Sequence, residues 1–282
     1  MIYNIILIIY IIFIIAIFGL IYNNFILKPI LKINNNISFM SQQETKLFLS
    51  KDNDKYVGNL SSLDLYARKV SSADEYITMI EKTCISFTQD EIILLTRCVE
   101  KADIFFRNAE FTDICYKKYI NGNDIANIKW KFANTYTNHD IVKDIENEYE
   151  EGLPHTREEI IFLSKKVLKY IEEDLVKTLI HEKIHIYQRL NKELFDEIIN
   201  CMDFDKIDFS DTKYVRSNPD TNRNIYIDNK TRNKMICLYR NDKPNGINDV
   251  IMNNHSLEHP YEKMAYEIAD YYYYNKEKYK NI

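Results

Sequence analysis

The chain has 282 residues, 46% of them hydrophobic and 28% charged, with a formal net charge of −5. That length buries a sizeable core in one or two domains, and the acidic balance, without a basic stripe carrying interleaved aromatics, gives no reason to expect nucleic acid as a partner. Five cysteines, odd in number and without a Cys-x-x-Cys pair, argue against a disulfide framework or cysteine-held metal and for dispersed buried thiols.

Residues 1–27 carry no charged side chain, and Ile5 to Tyr22 is almost wholly apolar. At about 1.5 Å per residue this run nearly crosses a ~30 Å hydrocarbon core, so one N-terminal transmembrane helix is expected. No basic n-region or small-residue cleavage site is present, which favours an uncleaved anchor over a signal peptide. The expectation is a single-pass membrane protein, with the membrane a partner through residues 2–27. Lys28 and Lys32 after the span place the large C-terminal part weakly in the cytoplasm. Residues 28–60 are polar and mixed, and read as a juxtamembrane spacer without a core of its own.

From Ser61 the pattern becomes helical. Thr88-Gln89-Asp90-Glu91 is a capping box that launches a helix to about Asn108, with Ile92, Leu95, Val99 and Phe106 at core spacing. Around residues 125–134 the period changes to two, with Ile128, Trp130 and Phe132 alternating with Lys129 and Lys131, the pattern of a half-buried strand. A turn at Gly152–Arg157 leads to the short apolar run Ile160–Leu163, and Ser164 offers a cap for the helix that follows.

That helix contains His181-Glu182-Lys183-Ile184-His185. Two histidines four apart on a helix project about 40° from one another, so both imidazoles reach one tetrahedral zinc, with Glu182 placed to meet a metal-bound water. Asp174, Thr178, His185 and Gln188 all fall within about 60° of His181, and apolar side chains cover most of the remaining circumference. This is a buried helix with one narrow polar stripe, and the histidines lie in it. Gln188, about 20° from His181, is placed to line the cleft or support a ligand.

Downstream, Arg216-Ser217-Asn218-Pro219-Asp220-Thr221 is a turn signal. Ile225–Ile227 and Met235–Tyr239 flank residues 228–233 as a hairpin. Such a hairpin brings Arg216 or Tyr226 towards the metal to steady an oxyanion, or leaves both on an ordinary surface; His155 carries the same two readings. The last helix starts at His259-Pro260, with proline suited to the first helical position.

Leu179-Ile180-His181-Glu182-Lys183-Ile184-His185-Ile186-Tyr187-Gln188-Arg189 resembles the active-site helix of HExxH zinc metallopeptidases of the gluzincin type, in which a downstream Glu completes the site. With Gln188-Arg189 after the second histidine, the wording is similar to that of uncharacterised peptidase-like proteins of large DNA viruses. The resemblance covers about residues 153–270 and is strong at the helix alone. It implies one Zn2+, a peptide or protein substrate, and an edge strand upstream of the helix that binds extended substrate, a role Ile160–Leu163 fits by position. Glu258, Glu262 and Glu267 compete as third ligand. Ala265 and Ala269 lie on the same side of the helix as Glu262, giving a small-residue surface for close approach, and Glu262-Lys263-Met264-Ala265 resembles the Glu-x-x-Ala segment of some HExxH families.

The expected fold class is α+β: a zincin-like metallopeptidase domain at 61–282, preceded by the transmembrane helix. The active-site helix, small sheet and helical C-terminal part would enclose a cleft between about 61–190 and 191–282. The expected function is zinc-dependent peptide hydrolysis by a membrane-anchored enzyme, with Glu182 as general base and His181, His185 and Glu262 as ligands. The alternative is a catalytically silent structural or interaction protein on the same fold.

Overall fold

The computed structural model describes residues 11, 13–17, 19, 36–112, 114–135, 153–208, 210, 213–251 and 258–279. The first half opens with β1 (Ile37–Phe39), α1 (Gln42–Lys51), α2 (Ser62–Ala67), α3 (Ala73–Glu81), β2 (Cys84–Ile85) and α4 (Gln89–Asn108). It continues through α5 (Gly122–Asn127), β3 (Trp130–Thr135), β4 (His155–Arg157), β5 (Ile160–Ser164) and α6 (Glu172–Leu190). Then come α7 (Lys192–Cys201), β6 (Phe204–Ile207), β7 (Ile225–Asp228), β8 (Lys234–Met235), β9 (Leu238–Tyr239), β10 (Val250–Ile251) and α8 (Pro260–Asn275).

The central sheet runs β1-β3-β5-β4, with β2 pairing the far end of β3. β1, β3 and β5 are parallel, and β4 closes the edge antiparallel to β5. Every residue of β5 is buried, as a strand covered on both faces must be. Its side chains divide between two cores with the period-two alternation of a strand. Ile161 and Leu163 join α4, α6 and α8 on one face, whereas Ile160 and Phe162 join Leu49, Tyr76 and Ile80 on the other. The result is a mixed α/β body of helices, sheet and helices, with smaller sheets β6-β7-β8 and β9-β10 in the C-terminal part. Helix α6 packs chiefly on α4 and α8.

Several expectations are corrected. Among the described residues no helix is long and apolar enough to cross a membrane. The N-terminal transmembrane helix and the single-pass membrane localisation drawn from it, cytoplasmic body included, are therefore not supported, and most of residues 1–27 lie outside the described residues. The supposed spacer at 28–60 is, from Asn36 onward, part of the body. Ile37–Phe39 pairs with Trp130–Phe132, and Met40, Leu49 and Val57 are buried in the second core. Ser164 ends β5 and does not cap α6, whose N-cap is Ile171 without a side-chain bond. Glu172, Glu173 and Asp174 in its first turn supply instead the negative charge that a helix N-terminus favours. Cys84, Cys98 and Cys237 are buried, whereas Cys115 and Cys201 are exposed.

Arg157 ties the N-terminal stretch to the edge strand. Its side chain is 2% exposed and donates to Asp54 (2.9 Å) and Asp52 (2.7 Å), so burial is offset by two carboxylates. Removing one partner of a buried ion pair leaves uncompensated charge and costs about 3–5 kcal/mol. Arg157→Ala is expected to lose that much in urea unfolding, and a loss under about 1 kcal/mol would place the pair in solvent.

Candidate metal centre

Helix α6 positions the first part of the site. Its apolar residues Leu175, Leu179, Ile180, Ile184 and Ile186 are fully buried, which fixes the rotation of the helix and turns the polar stripe towards α8. Lys183 is also fully buried, with its ammonium over the Trp130 ring at 3.9 Å and donating to the Ile128 carbonyl. His181 and His185 bring their Nε2 atoms to 3.0 Å from each other.

Helix α8 positions the second part. His259 caps it by accepting from the Tyr261 N–H (3.0 Å), and Pro260 occupies its first turn. Burial holds the His259 imidazole down to about 3, so it stays neutral and keeps that acceptor. Ala265 and Ala269 are fully buried within the core shared by α6 and α8, so nothing bulky holds the helices apart. Glu262, in the first turn, puts Oε2 at 3.3 Å from His181 Nε2 and Oε1 at 3.6 Å from His185 Nε2. One ligand atom from each of His181, His185 and Glu262 can be chosen so that all lie within 4.8 Å of one another.

The other two carboxylates have partners of their own, although Glu258 borders the same cavity as Glu262. Glu258 pairs with Arg216 at 2.8 Å, and Glu267 accepts from Tyr116 Oη at 2.9 Å and from Lys263.

Glu182 is 3% exposed, and its Oε2 has no hydrogen-bond partner among the described residues. Burial, together with the charges of Asp220 and Glu262, pushes its carboxyl well above the usual carboxylate range. For His185 burial works downward, but the carboxylates of Glu262 and Asp220 outweigh it and raise the imidazole to about 9. Burial would raise Glu262, yet His185 and His181 hold it well below its ordinary value.

Gln188 is fully buried and joins the two helices. Its Oε1 lies 2.9 Å from His185 Nδ1, and its Nε2 donates to the Tyr261 carbonyl at 3.0 Å. An acceptor at Nδ1 keeps the proton there and leaves Nε2 free for a metal. Gln188→Ala is expected to weaken zinc binding roughly 10-fold by competition titration, the cost of losing such a support. Unchanged affinity would leave Gln188 a packing residue.

Around the centre, a cavity of about 360 Å³ is lined by His181, Glu182, Glu262, His155, Arg216 and Tyr266, among others. A larger one, about 860 Å³, lies by His185 and Arg189. Both are bordered by the turn Arg216–Asp220.

His155 stacks on Phe162 at the wall of the smaller cavity, with its Nδ1 at 3.1 Å from the Leu153 carbonyl. Arg216 borders both cavities, but its two terminal nitrogens donate to Glu258 and the Ile247 carbonyl, and its Nε is buried. Tyr226 does not reach the site: it is buried, its ring set edge-on to His259 at 5.0 Å. The strand assignment for substrate also changes. Ile160–Leu163 is interior, and the edge is β4, where Asp220 accepts from the Thr156 N–H (2.6 Å) and Arg189 donates to the Thr156 carbonyl (3.4 Å).

Two groups at the site escaped the sequence reading. Tyr266 packs its ring 4.4 Å from that of His181 and is 43% exposed in the smaller cavity. Burial and the charges of Glu262 and Glu182 push its phenol up to about 12, so the hydroxyl stays a hydrogen-bond donor. It lies one turn beyond Glu262, about 40° around the axis, a spacing the helical wheel contains. Asn218 is the other, and nothing in the sequence beyond a turn signal marks it.

The chain matches no protein-family model, no curated protein and no solved structure.

Proposed function

We propose that the protein is a zinc-dependent hydrolase of peptide bonds. The observation that carries this reading is the meeting of His181, His185 and Glu262, with His181 and Glu262 on the wall of a cavity that Glu182 shares. Two imidazole nitrogens and one carboxylate oxygen suit zinc and leave it a fourth position. Glu182 lines that cavity beside His181 and Glu262, and its buried carboxyl, with Oε2 unpartnered among the described residues, fits a group that handles a proton there. A zinc ion supplies Lewis acidity, polarising a carbonyl and acidifying water.

The protein's own residues do the rest. His185 presents Nε2 because Gln188 occupies Nδ1, and Glu262 offers its carboxylate from the α8 side. Glu182 takes the proton of the attacking water on its carboxylate and delivers it to the departing amine nitrogen. Tyr266 is placed to donate a hydrogen bond to oxygen that gains charge.

A second reading, a metal-holding body without turnover, draws on one observation: the Thr156 backbone groups on the edge strand are already engaged by Asp220 and Arg189. One experiment separates the two. The protein is incubated with a mixed peptide library, read by mass spectrometry, with chelator and then with zinc restored. Cleavage that stops with chelator and returns with zinc supports hydrolysis, and no cleavage in any arm sinks it.

A further inference from the structure

The turn Arg216–Asp220 lies in neither helix nor strand, yet it reaches the third ligand. Asn218 Nδ2 donates to Glu262 Oε1 at 2.8 Å and also to Glu258. The carbonyl end of the same amide accepts from the Asp220 N–H at 2.8 Å. Both ends are therefore assigned by their partners: an oxygen cannot face two carboxylates, and an NH2 cannot accept from a backbone N–H. Each hydrogen of the amide serves one carboxylate. Glu258 is already paired with Arg216, so the contact that distinguishes Asn218 is the one to Glu262.

The turn is in turn held from outside the centre. Asp64, fully buried in the first turn of α2, accepts from the Ser217 N–H (3.0 Å), Ser217 Oγ (2.7 Å) and Tyr239 Oη (3.0 Å). The same carboxylate closes a capping box with Ser61. Beyond Asn218, Asp220 is fixed by the Thr156 N–H and hydroxyl, each at 2.6 Å. Asn218 is thus pinned on both sides, through Ser217 and Asp220, by Asp64 and Thr156, residues that lie well before it in the chain.

We propose that Asn218 is a positioning residue for the metal centre. It holds Glu262 Oε1 so that the carboxylate faces His181 and His185, and Asp64 sets Asn218 through Ser217. This inference rests on the metal-binding reading of the site. It joins zinc affinity to the docking of α2 against the C-terminal part. Carboxylate ligands that lose such a hydrogen-bonding partner lose about 10–100-fold in metal affinity.

The test measures zinc affinity of the full chain by competition with a chromophoric chelator, alongside melting temperatures with chelator and with zinc. Asn218→Ala is expected to bind zinc about 10–100-fold more weakly. Its melting temperature in chelator should move little, while the rise produced by zinc shrinks as the weaker affinity dictates. Asp64→Asn should weaken zinc in the same direction, by a smaller factor. A residue that only supports the fold would lower the melting temperature in chelator and leave zinc affinity alone. Wild-type zinc affinity in Asn218→Ala overturns the proposal; if that variant does not fold, wild-type affinity in Asp64→Asn does so. A wild-type protein that binds no zinc overturns the metal reading itself and this inference with it.

Discussion

Glu182→Gln is expected to lower the rate of peptide cleavage by about 10²–10⁴-fold, the usual contribution of a general base, while leaving bound zinc in place. Glutamine keeps the shape of the side chain and can still accept a hydrogen bond, but it cannot take and return a proton. The location makes the loss specific. Glu182 is almost fully buried, its Oε2 is unpartnered among the described residues, and it lines the cavity that His181 and Glu262 also border. The substitution removes a carboxylate whose charge is disfavoured by burial, Asp220 and Glu262, so stability should hold or rise. The check is zinc content, melting temperature and kcat measured on one preparation. Cleavage at the wild-type rate would remove Glu182 from the chemistry, and loss of zinc would make it a structural support instead.

Glu262→Ala is expected to cost more zinc affinity than the 10–100-fold lost with a supporting residue, because a ligand itself disappears. Glu258→Ala and Glu267→Ala should leave zinc bound, since Arg216 engages the first and Tyr116 and Lys263 the second. Retained zinc in Glu262→Ala beside loss in either neighbour would reassign the third ligand.

The same residue sets the pH behaviour. Protons and metal compete for His185 Nε2, and the imidazole is raised to about 9 by Glu262 and Asp220 against the pull of burial. Apparent zinc affinity should therefore rise about tenfold per pH unit between pH 7 and 9, one proton leaving for each zinc bound. In chelator the sign follows from the shifts. The raised His185 gives stability that is complete below its unfolded value near 6.5 and is lost as pH climbs through about 9. The lowered Glu262 gives stability present above its ordinary value and lost as pH falls through its depressed one. Without Glu262 its own contribution goes and that of His185 shrinks to what Asp220 still supplies, so the Ala variant should lose most between about pH 4.5 and 6.5 and least above pH 9.

The histidines and Glu182 are legible in the sequence because helix geometry alone sets their directions. Three residues within one and a half turns need no tertiary contact to share a face. Glu262 is legible for a related reason, since Ala265 and Ala269 mark which side of α8 can come close to a neighbour. Asn218 is not. Its direction depends on Asp220 bonding Thr156, 64 residues earlier, and on Ser217 bonding Asp64, 153 residues earlier. Tyr226 meets neither of its two readings, because a hairpin's sequence tells where the strands turn but not what their faces meet, which here is His259. Residues 36–60 read as coreless because their apolar side chains come in short groups broken by polar and charged runs. β1 gains its hydrophobic surroundings by parallel pairing with β3, about a third of the chain away. Parallel partners are joined by long crossovers and leave no local trace. The apolar N-terminal run shows the opposite failure. A composition that satisfies a membrane span is not matched by any sufficiently long apolar helix among the described residues.

The most direct measurement is the metal content of the wild-type protein after equilibrium dialysis against buffered zinc, set beside His185→Ala. The account predicts one zinc per chain in the wild type, and none retained by the variant under the same free zinc. A wild-type chain that holds no zinc, or a His185→Ala chain that holds as much, would contradict it.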